Sequence, residues 1–277
     1  MTVLSNVDIE RELGDRILIY PFSKSNLRGA SYNLTASRLA WNLKDGKSLY
    51  DASTGKVVIP PQSTALIETN ESIWVSSEIA GTYHSKVKLV SKGISHIGTT
   101  LDPEYIGSSL ITVHNHSDEP IDLNAEKDTF VSLIFHYVET KETIRAGNVP
   151  SRPDMLNRFS LTPEDDQWLD EEFRKDPDSL REKLYGSQDF QEIISRKQAE
   201  NERIKSAINS INSKRKRHIV FFVLISAFVV VVILNNYLSS NKASLSGEPW
   251  YDLAVNIIYA IMLGVPGSLL IKILSDI

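Results

Sequence analysis

The run Ile219 to Leu234, IVFFVLISAFVVVVIL, is apolar throughout except for Ser226, and Asn235-Asn236-Tyr237-Leu238 carries it to an interface. A helix rises about 1.5 Å per residue, so about 20 such residues cross the hydrocarbon core of a bilayer. A span of this kind divides the chain into a polar front and an apolar back. Lys214-Arg215-Lys216-Arg217 stands directly before it. Cations that flank a span stay on the cytoplasmic side, where they also meet anionic lipid headgroups. The expectation is a first transmembrane helix over 218–238, with the N-terminal part of the chain in the cytoplasm. A second span over 252–274 is less uniform, because Gly264, Pro266 and Gly267 interrupt it and imply a kink or a close helix contact. Lys272 returns toward the first side. The back of the chain therefore reads as a two-span hairpin in a lipid bilayer, with a bacterial inner membrane as the expected location.

The front of the chain is of a different kind. Acidic residues outnumber basic ones, 35 to 30, and a formal charge of −5 argues against the broadly basic surface that nucleic-acid binding needs. The absence of cysteine excludes disulfides, thiolate zinc sites and cysteine nucleophiles. The opening MTVLSNVDIERELGDR carries charges where a secretory leader needs an apolar core.

Short apolar runs separated by turn residues predict a mainly β domain over 1–145, a sandwich or barrel. They include Val57-Val58-Ile59, Ala65-Leu66-Ile67, Lys86-Val87-Lys88-Leu89-Val90, Ser109 to Val113, and Phe130 to Val138. A first helix is predicted from Asn6 to Leu13, capped by Ser5 and stopped by Gly14. Residues 146–217 read as a helical connector. Pro163-Glu164-Asp165-Asp166 opens an acidic helix through about Arg174, which Pro177 should break. From Ser187 onward Phe190, Ile194, Ile204, Ala207, Ile208 and Ile211 recur at helical spacing. That stripe serves either as an amphipathic connector or as a stalk pairing with copies of itself, although Lys197 and Asn201 interrupt the seam.

The most chemically suggestive block is Ser85 to Asn115, SKVKLVSKGISHIGTTLDPEYIGSSLITVHN. Its turn, Leu101-Asp102-Pro103-Glu104-Tyr105-Ile106-Gly107, leads into a strand that ends at Asn115. With Leu4 to Ile9, Ile17 to Pro21, Gly29-Ala30-Ser31-Tyr32-Asn33-Leu34, Ile59-Pro60-Pro61-Gln62-Ser63 and Thr69-x-Glu71-Ser72-Ile73-x-Val75, it falls in the order seen in one family. Over about residues 3–140 the chain resembles the deoxycytidine triphosphate deaminase and deoxyuridine triphosphatase superfamily, more closely the deaminase branch. The resemblance implies a distorted jelly-roll of antiparallel strands, a homotrimer, and nucleotide sites between subunits.

Set against that pattern, several positions depart. Where the family carries arginines and serines that hold triphosphate oxygens, this chain has Lys86, Val87, Lys88 and Ser91, followed by Lys92. Lysine keeps the charge and loses the planar fork. Thr112 stands where the deaminase branch places its general acid/base glutamate, and a threonine hydroxyl does not ionise near neutral pH. Proton transfer by such a group contributes about 10²–10⁴-fold. Asp102 is retained, and in the triphosphatase branch its counterpart orients the attacking water; an Asp-Pro pair is also an ordinary turn former. No glycine-rich arm follows residue 140.

The resemblance thus implies nucleotide contacts at Lys86, Lys88, Ser91, Lys92, Asp102 and Tyr105, with Asp102 catalytic only if activity survives. No metal site of the chain's own is expected, although a nucleoside triphosphate would bring magnesium. His114 and His116 alternate on one strand and lack a third ligand. The leading expectation is a membrane-anchored, catalytically degenerate nucleotide-binding protein that signals to its transmembrane hairpin. The competing expectations are an active membrane-tethered deaminase or triphosphatase, and a structural trimerisation or docking module.

Overall fold

The computed structural model describes residues 2–96, 98–139, 156, 159 and 161–264. In chain order the strands are β1 (Thr2–Val3), β2 (Ile17–Tyr20), β3 (Leu27–Arg28), β4 (Ser31–Asn42), β5 (Tyr50–Asp51), β6 (Lys56–Ile59) and β7 (Ser63–Val75). They continue as β8 (Ile79–Ser85), β9 (Ile94–His96), β10 (Thr100–Leu101), β11 (Ile106–Asn115), β12 (Ile121–Asn124) and β13 (Thr129–Tyr137). The helices are α1 (Asn6–Glu12), α2 (Val87–Val90), α3 (Pro163–Leu169), α4 (Pro177–Tyr185), α5 (Gln188–Ser240), α6 (Lys242–Leu245) and α7 (Tyr251–Gly264).

The chain forms two compact units, residues 1–196 and 197–277. In the first, an antiparallel sheet runs β10-β8-β13-β4-β7-β11-β9, with β1, β2 and β3 added at its margins and a small β12-β6-β5 sheet beside it. Leu34, Ile67, Ile73, Leu133 and Phe135 are fully buried between these strands and form the core. The mainly β domain expected from the sequence is present, and the long runs β7, β11 and β13 contain the apolar segments that predicted them.

Local chemistry explains the first helix. The Ser5 hydroxyl accepts from the Asp8 amide, and the Asp8 carboxylate accepts from the Ser5 amide, a reciprocal capping box. Gly14 ends the turn at φ +92, where a side chain would be strained.

Three expectations are corrected. Lys86 to Val90 is not a strand; β8 stops at Ser85 and the next residues wind into the single turn α2. Strand alternation would bury Val87 together with Leu89, yet Val87 is 83% exposed and only Leu89 enters the core. Pro177 does not break a helix: it occupies the first turn of α4, with the Asp176 side chain accepting from the Ser179 amide. The acidic helix ends at Leu169, and Glu172–Arg174 form a separate 3-10 turn.

The first unit extends to Arg196, past residue 145 where the β domain was expected to close. Phe173, Leu180, Leu184, Phe190 and Ile193 of the connector are buried in the same core as the strands. In the second unit, α5 contains an 18-residue window of mean hydropathy 2.7 with none of it buried, and is by length and composition a candidate membrane span. Arg215, Lys216 and Arg217 lie exposed before that window, while Lys214 belongs to the same helix. The second apolar helix, Tyr251–Ile261, is shorter than a span; residues 265–274 of the expected second span lie outside the described residues. Leu238, Tyr251 and Ile258 pack together in this unit.

Candidate functional site

The three lysines of the Ser85–Gly93 segment are brought together by α2. Lys86, Lys88 and Lys92 line a cleft of about 140 Å³ with Asp122, Asp128 and Thr129. The Lys86 ammonium donates to the Thr129 hydroxyl at 2.6 Å. Burial first, then repulsion from Arg28 and Lys88, lowers its pKa. Both acids on the rim are engaged elsewhere: Asp122 pairs with Lys56 at 3.1 Å, and Asp128 accepts from the Asn124 backbone and side-chain amides, each at 2.7 Å. The cleft therefore presents ammonium groups and suits an anion. Ser91 does not join it, because its hydroxyl donates to the Lys88 carbonyl of its own turn.

Asp102 and Tyr105 lie elsewhere. β10 pairs with β8 so that Leu101 faces Gly81, five residues before Lys86 on the same strand line. At about 3.3 Å per residue that is roughly 17 Å. Asp102 accepts from the Thr100 hydroxyl at 3.2 Å, and the Tyr105 hydroxyl donates to the Ser108 carbonyl. Within one chain the lysines and the Asp102 turn are thus two places.

Thr112 is half-buried on β11, between the buried Ile111 and Val113. Glu104 and Glu119, the nearest glutamates in sequence, are exposed. Asn115 is a structural residue: its Nδ2 donates to the carbonyls of Ile59, Pro60 and Glu119, and its Oδ1 accepts from Ser117. His114 and His116 have ring centroids 4.1 Å apart and pair with Thr64 and Ser95. No group of three metal-ligating side chains occurs among the described residues.

A buried polar cluster accompanies these residues that motif reading passed over. β7 advances four residues from Glu68 to Ser72 while β11 advances only two, from Leu110 back to Ser108. This bulge is where the strand leaves its regular ladder, as bulges beside functional sites do. Glu71 is held by the Thr35 amide and hydroxyl, both at 2.9 Å, and burial still pushes it up to about 7. Glu68 is fully buried with no hydrogen-bond partner on either oxygen. Burial raises it to about 8, against weaker opposing pulls from the Ser108 hydroxyl and the Arg174 guanidinium. Arg174 is 2% exposed, and its Nη1 donates to the Asn70 carbonyl at 3.2 Å and the Ser72 hydroxyl at 3.0 Å. The available signal was a pair of glutamates inside an otherwise uncharged strand, Ala65 to Val75, since a buried charge requires a partner or a proton.

The dCTP deaminase-like family model matches residues 3–136. The chain is 34% identical over 123 residues to a dCTP deaminase of Pyrococcus horikoshii, covering 44% of this chain and 77% of that protein. It is 32% identical over 158 residues to a dCTP deaminase of Thermococcus gammatolerans, covering 56% of this chain and 96% of that one. Among solved structures, a 2'-deoxycytidine 5'-triphosphate deaminase from Agrobacterium tumefaciens aligns with a TM-score of 0.41 and 12% identity, over 49% of this chain and 48% of that chain. By the sequence matches over the β domain, the chain belongs to the dCTP deaminase-like family.

Proposed function

We propose that this protein binds a deoxynucleotide at its α2 cleft, that its deaminase chemistry is degenerate, and that it is anchored to a membrane through α5. The observation that carries this reading is the pairing of a surviving cationic cleft with a missing proton carrier. Lys86, Lys88 and Lys92 are grouped for an anion, while Thr112 occupies the strand position where the resemblance calls for a glutamate. The relatives named dCTP deaminase support the ligand class.

The roughly 17 Å of chain between Lys86 and Gly81, which pairs with Leu101 beside Asp102, favours an assembly in which one subunit supplies the ammonium groups and another supplies Asp102 and Tyr105. A homotrimer would close such composite sites, and a triphosphate ligand would carry magnesium with it. Occupancy passed along the connector to the membrane helix would suit a defence or nucleotide-stress sensor on the cytoplasmic face.

The enzyme reading has its own support in the 34% identity to a deaminase and in the retained Asp102. Full-length protein in detergent, titrated with dCTP and dUTP by calorimetry and assayed for product, separates these readings. Binding without turnover is expected. Turnover abolished by Asp102→Asn would establish an enzyme, and no binding of either nucleotide would leave the docking-module reading.

A further inference from the structure

We propose that Arg174 and Glu68 form a proton-sensitive latch, which holds the connector on the β domain while Glu68 keeps its proton and loosens it when that proton leaves. The inference does not rest on nucleotide binding; it rests on how the connector is seated.

Arg174 is the point at which the connector enters the polar interior of the sheet. Its guanidinium stacks on the Trp168 ring at 3.3 Å and lies 4.7 Å from the Phe173 ring, both connector side chains. Its Nη1 reaches across to the Asn70 carbonyl and the Ser72 hydroxyl on β7, and its Nε meets Glu171 at 3.3 Å. The slot for this side chain is made by the β7 bulge. Around it the connector covers an apolar face: Leu39, Trp41 and Leu66 of the sheet pack with Leu156, Phe159 and Leu169.

Glu68 lies beneath that cover. By strand alternation it shares a face with Leu66 and Ser72, and it stands opposite Leu110. Neither carboxyl oxygen meets the geometry of a hydrogen bond, although the Ser108 hydroxyl and the Arg174 guanidinium weakly favour its ionised form; Nε and Nη1 of Arg174 are engaged by Glu171, Asn70 and Ser72. For a fully buried carboxylate these weak pulls do not offset the loss of hydration, which is the costly case. The protonated acid is tolerated there, and the ionised form is better served by water admitted when the connector lifts.

The other ionisable groups around it are Glu71 on β7, Tyr83 on β8, Glu171 and Arg174 on the connector, and Asp102 in the turn before β11, which acts through Tyr83. Glu71 faces Thr35 and is satisfied by it. Tyr83 bonds to Ser109 and stays neutral, because burial raises it further. Arg174 is drawn down to about 10 by burial and keeps its charge through neutral pH. Glu68 is thus the unpartnered member whose proton state changes in the neutral range.

The sign follows from its pKa, raised in the closed form to about 8 from an ordinary 4.5. The closed form holds the proton where the open form has released it, so closure is favoured fully below about 4.5. It loses ground as pH rises toward 8 and levels off above that. One proton makes the opening equilibrium grow up to about tenfold per pH unit across that window.

Hydrogen–deuterium exchange of the full-length protein in detergent tests the latch, with rates corrected for the intrinsic pH dependence of exchange. Amides of residues 163–185 should gain exchange by up to about tenfold per unit between pH 6 and 8 while staying less protected than those of β4 and β13, which open only on global unfolding. In Glu68→Gln, which cannot ionise, the connector's pH dependence should be lost. Arg174→Lys, which keeps charge but not the fork, should raise connector exchange at pH 6 without exposing β13. The same pH dependence in Glu68→Gln as in the parent would overturn the latch. So would connector amides as well protected as those of β4 and β13 at every pH, since that reports global unfolding alone.

Discussion

A Cβ atom placed on Gly14 would lie 2.7 Å from Cζ of Phe190, so the end of α1 and the first turn of α5 meet where only a glycine fits. The neighbouring contacts have the same purpose. The Lys24 amide donates to Asp189 at 2.7 Å, and Arg196 pairs with Glu10. Together these tie the start of the long helix to the β domain, and they explain why the compact unit continues to Arg196.

Gly14→Ala tests that junction. The substitution meets both a positive φ of 92° and the Phe190 ring, and each is unfavourable by itself. A loss of about 1–3 kcal/mol is expected from the backbone strain alone. Thermal melts of the full-length protein should show a lower Tm, and in a double-mutant cycle with Phe190→Ala, itself costly because Phe190 is buried, the loss from Gly14→Ala should shrink toward the strain alone. An unchanged Tm for Gly14→Ala would show that α5 does not seat on α1 in this way.

Asn115 offers a second test, and it separates a structural role from a catalytic one. Three carbonyls in two segments, Ile59–Pro60 and Glu119, depend on its amide group. Asn115→Ala removes those hydrogen bonds, while Pro60 keeps the Ser63 hydroxyl and Glu119 the Ser117 hydroxyl, so the cost is about 1 kcal/mol. Asn115→Asp keeps the shape and removes the donors. Both variants are expected to lower Tm by similar amounts, and neither should alter nucleotide affinity beyond what the loss of folded protein explains.

The lysine cleft leads to a prediction about ligand charge. Hydrogen bonds to ionised groups are worth about 1.5–3 kcal/mol, so Lys86→Ala should weaken dCTP or dUTP binding by about tenfold or more. Lys92→Ala should act in the same direction, and Ser91→Ala, whose hydroxyl is spent on Lys88, should leave affinity unchanged. Raising salt from 50 to 200 mM should also weaken binding, because attraction between exposed charges is screened. Titration calorimetry reads all of these, and equal affinity in Lys86→Ala would remove the α2 cleft from the site.

Much of this was legible in the chain itself. Period-two apolar runs gave β7, β11 and β13, and Ser5, Asp8 and Gly14 announced α1 by their own chemistry. The sequence pattern misled where one residue mattered more than the run. Lys86 to Val90 alternates like a strand, yet only Leu89 finds a place in the core, so a turn of helix satisfies the segment better. Pro177 reads as a stop only for an acidic helix running to Arg174; that helix ends at Leu169, and with Asp176 as its cap Pro177 is a start. The buried Glu68–Arg174 neighbourhood was least legible. Its partners are about a hundred residues apart, and no local periodicity links a strand glutamate to an arginine of the connector. The separation of the lysines from Asp102 was hidden for a similar reason, since it depends on the pairing of β10 with β8.

The two buried glutamates should also set the global pH dependence of stability. Glu71 is raised to about 7 and Glu68 to about 8, while both return to an ordinary value near 4.5 on unfolding. Acids with raised folded-state values stabilise most when both forms are protonated, so their contribution is fully present below about 4.5 and is lost as pH rises through 7 and 8. Between pH 5 and 7 the unfolded chain has released two protons that the folded one retains. The expected slope is then about 3 kcal/mol per pH unit from the pair, halving between 7 and 8, where only Glu68 still holds its proton. Melting the full-length protein at pH 5, 6, 7 and 8 should show Tm falling across the series. Glu68→Gln should remove the segment of the fall above pH 7, whereas Glu71→Gln should leave that segment and reduce the one below it. If Glu68→Gln follows the parent curve above pH 7, Glu68 is already ionised in the fold, and some group must pair with it there.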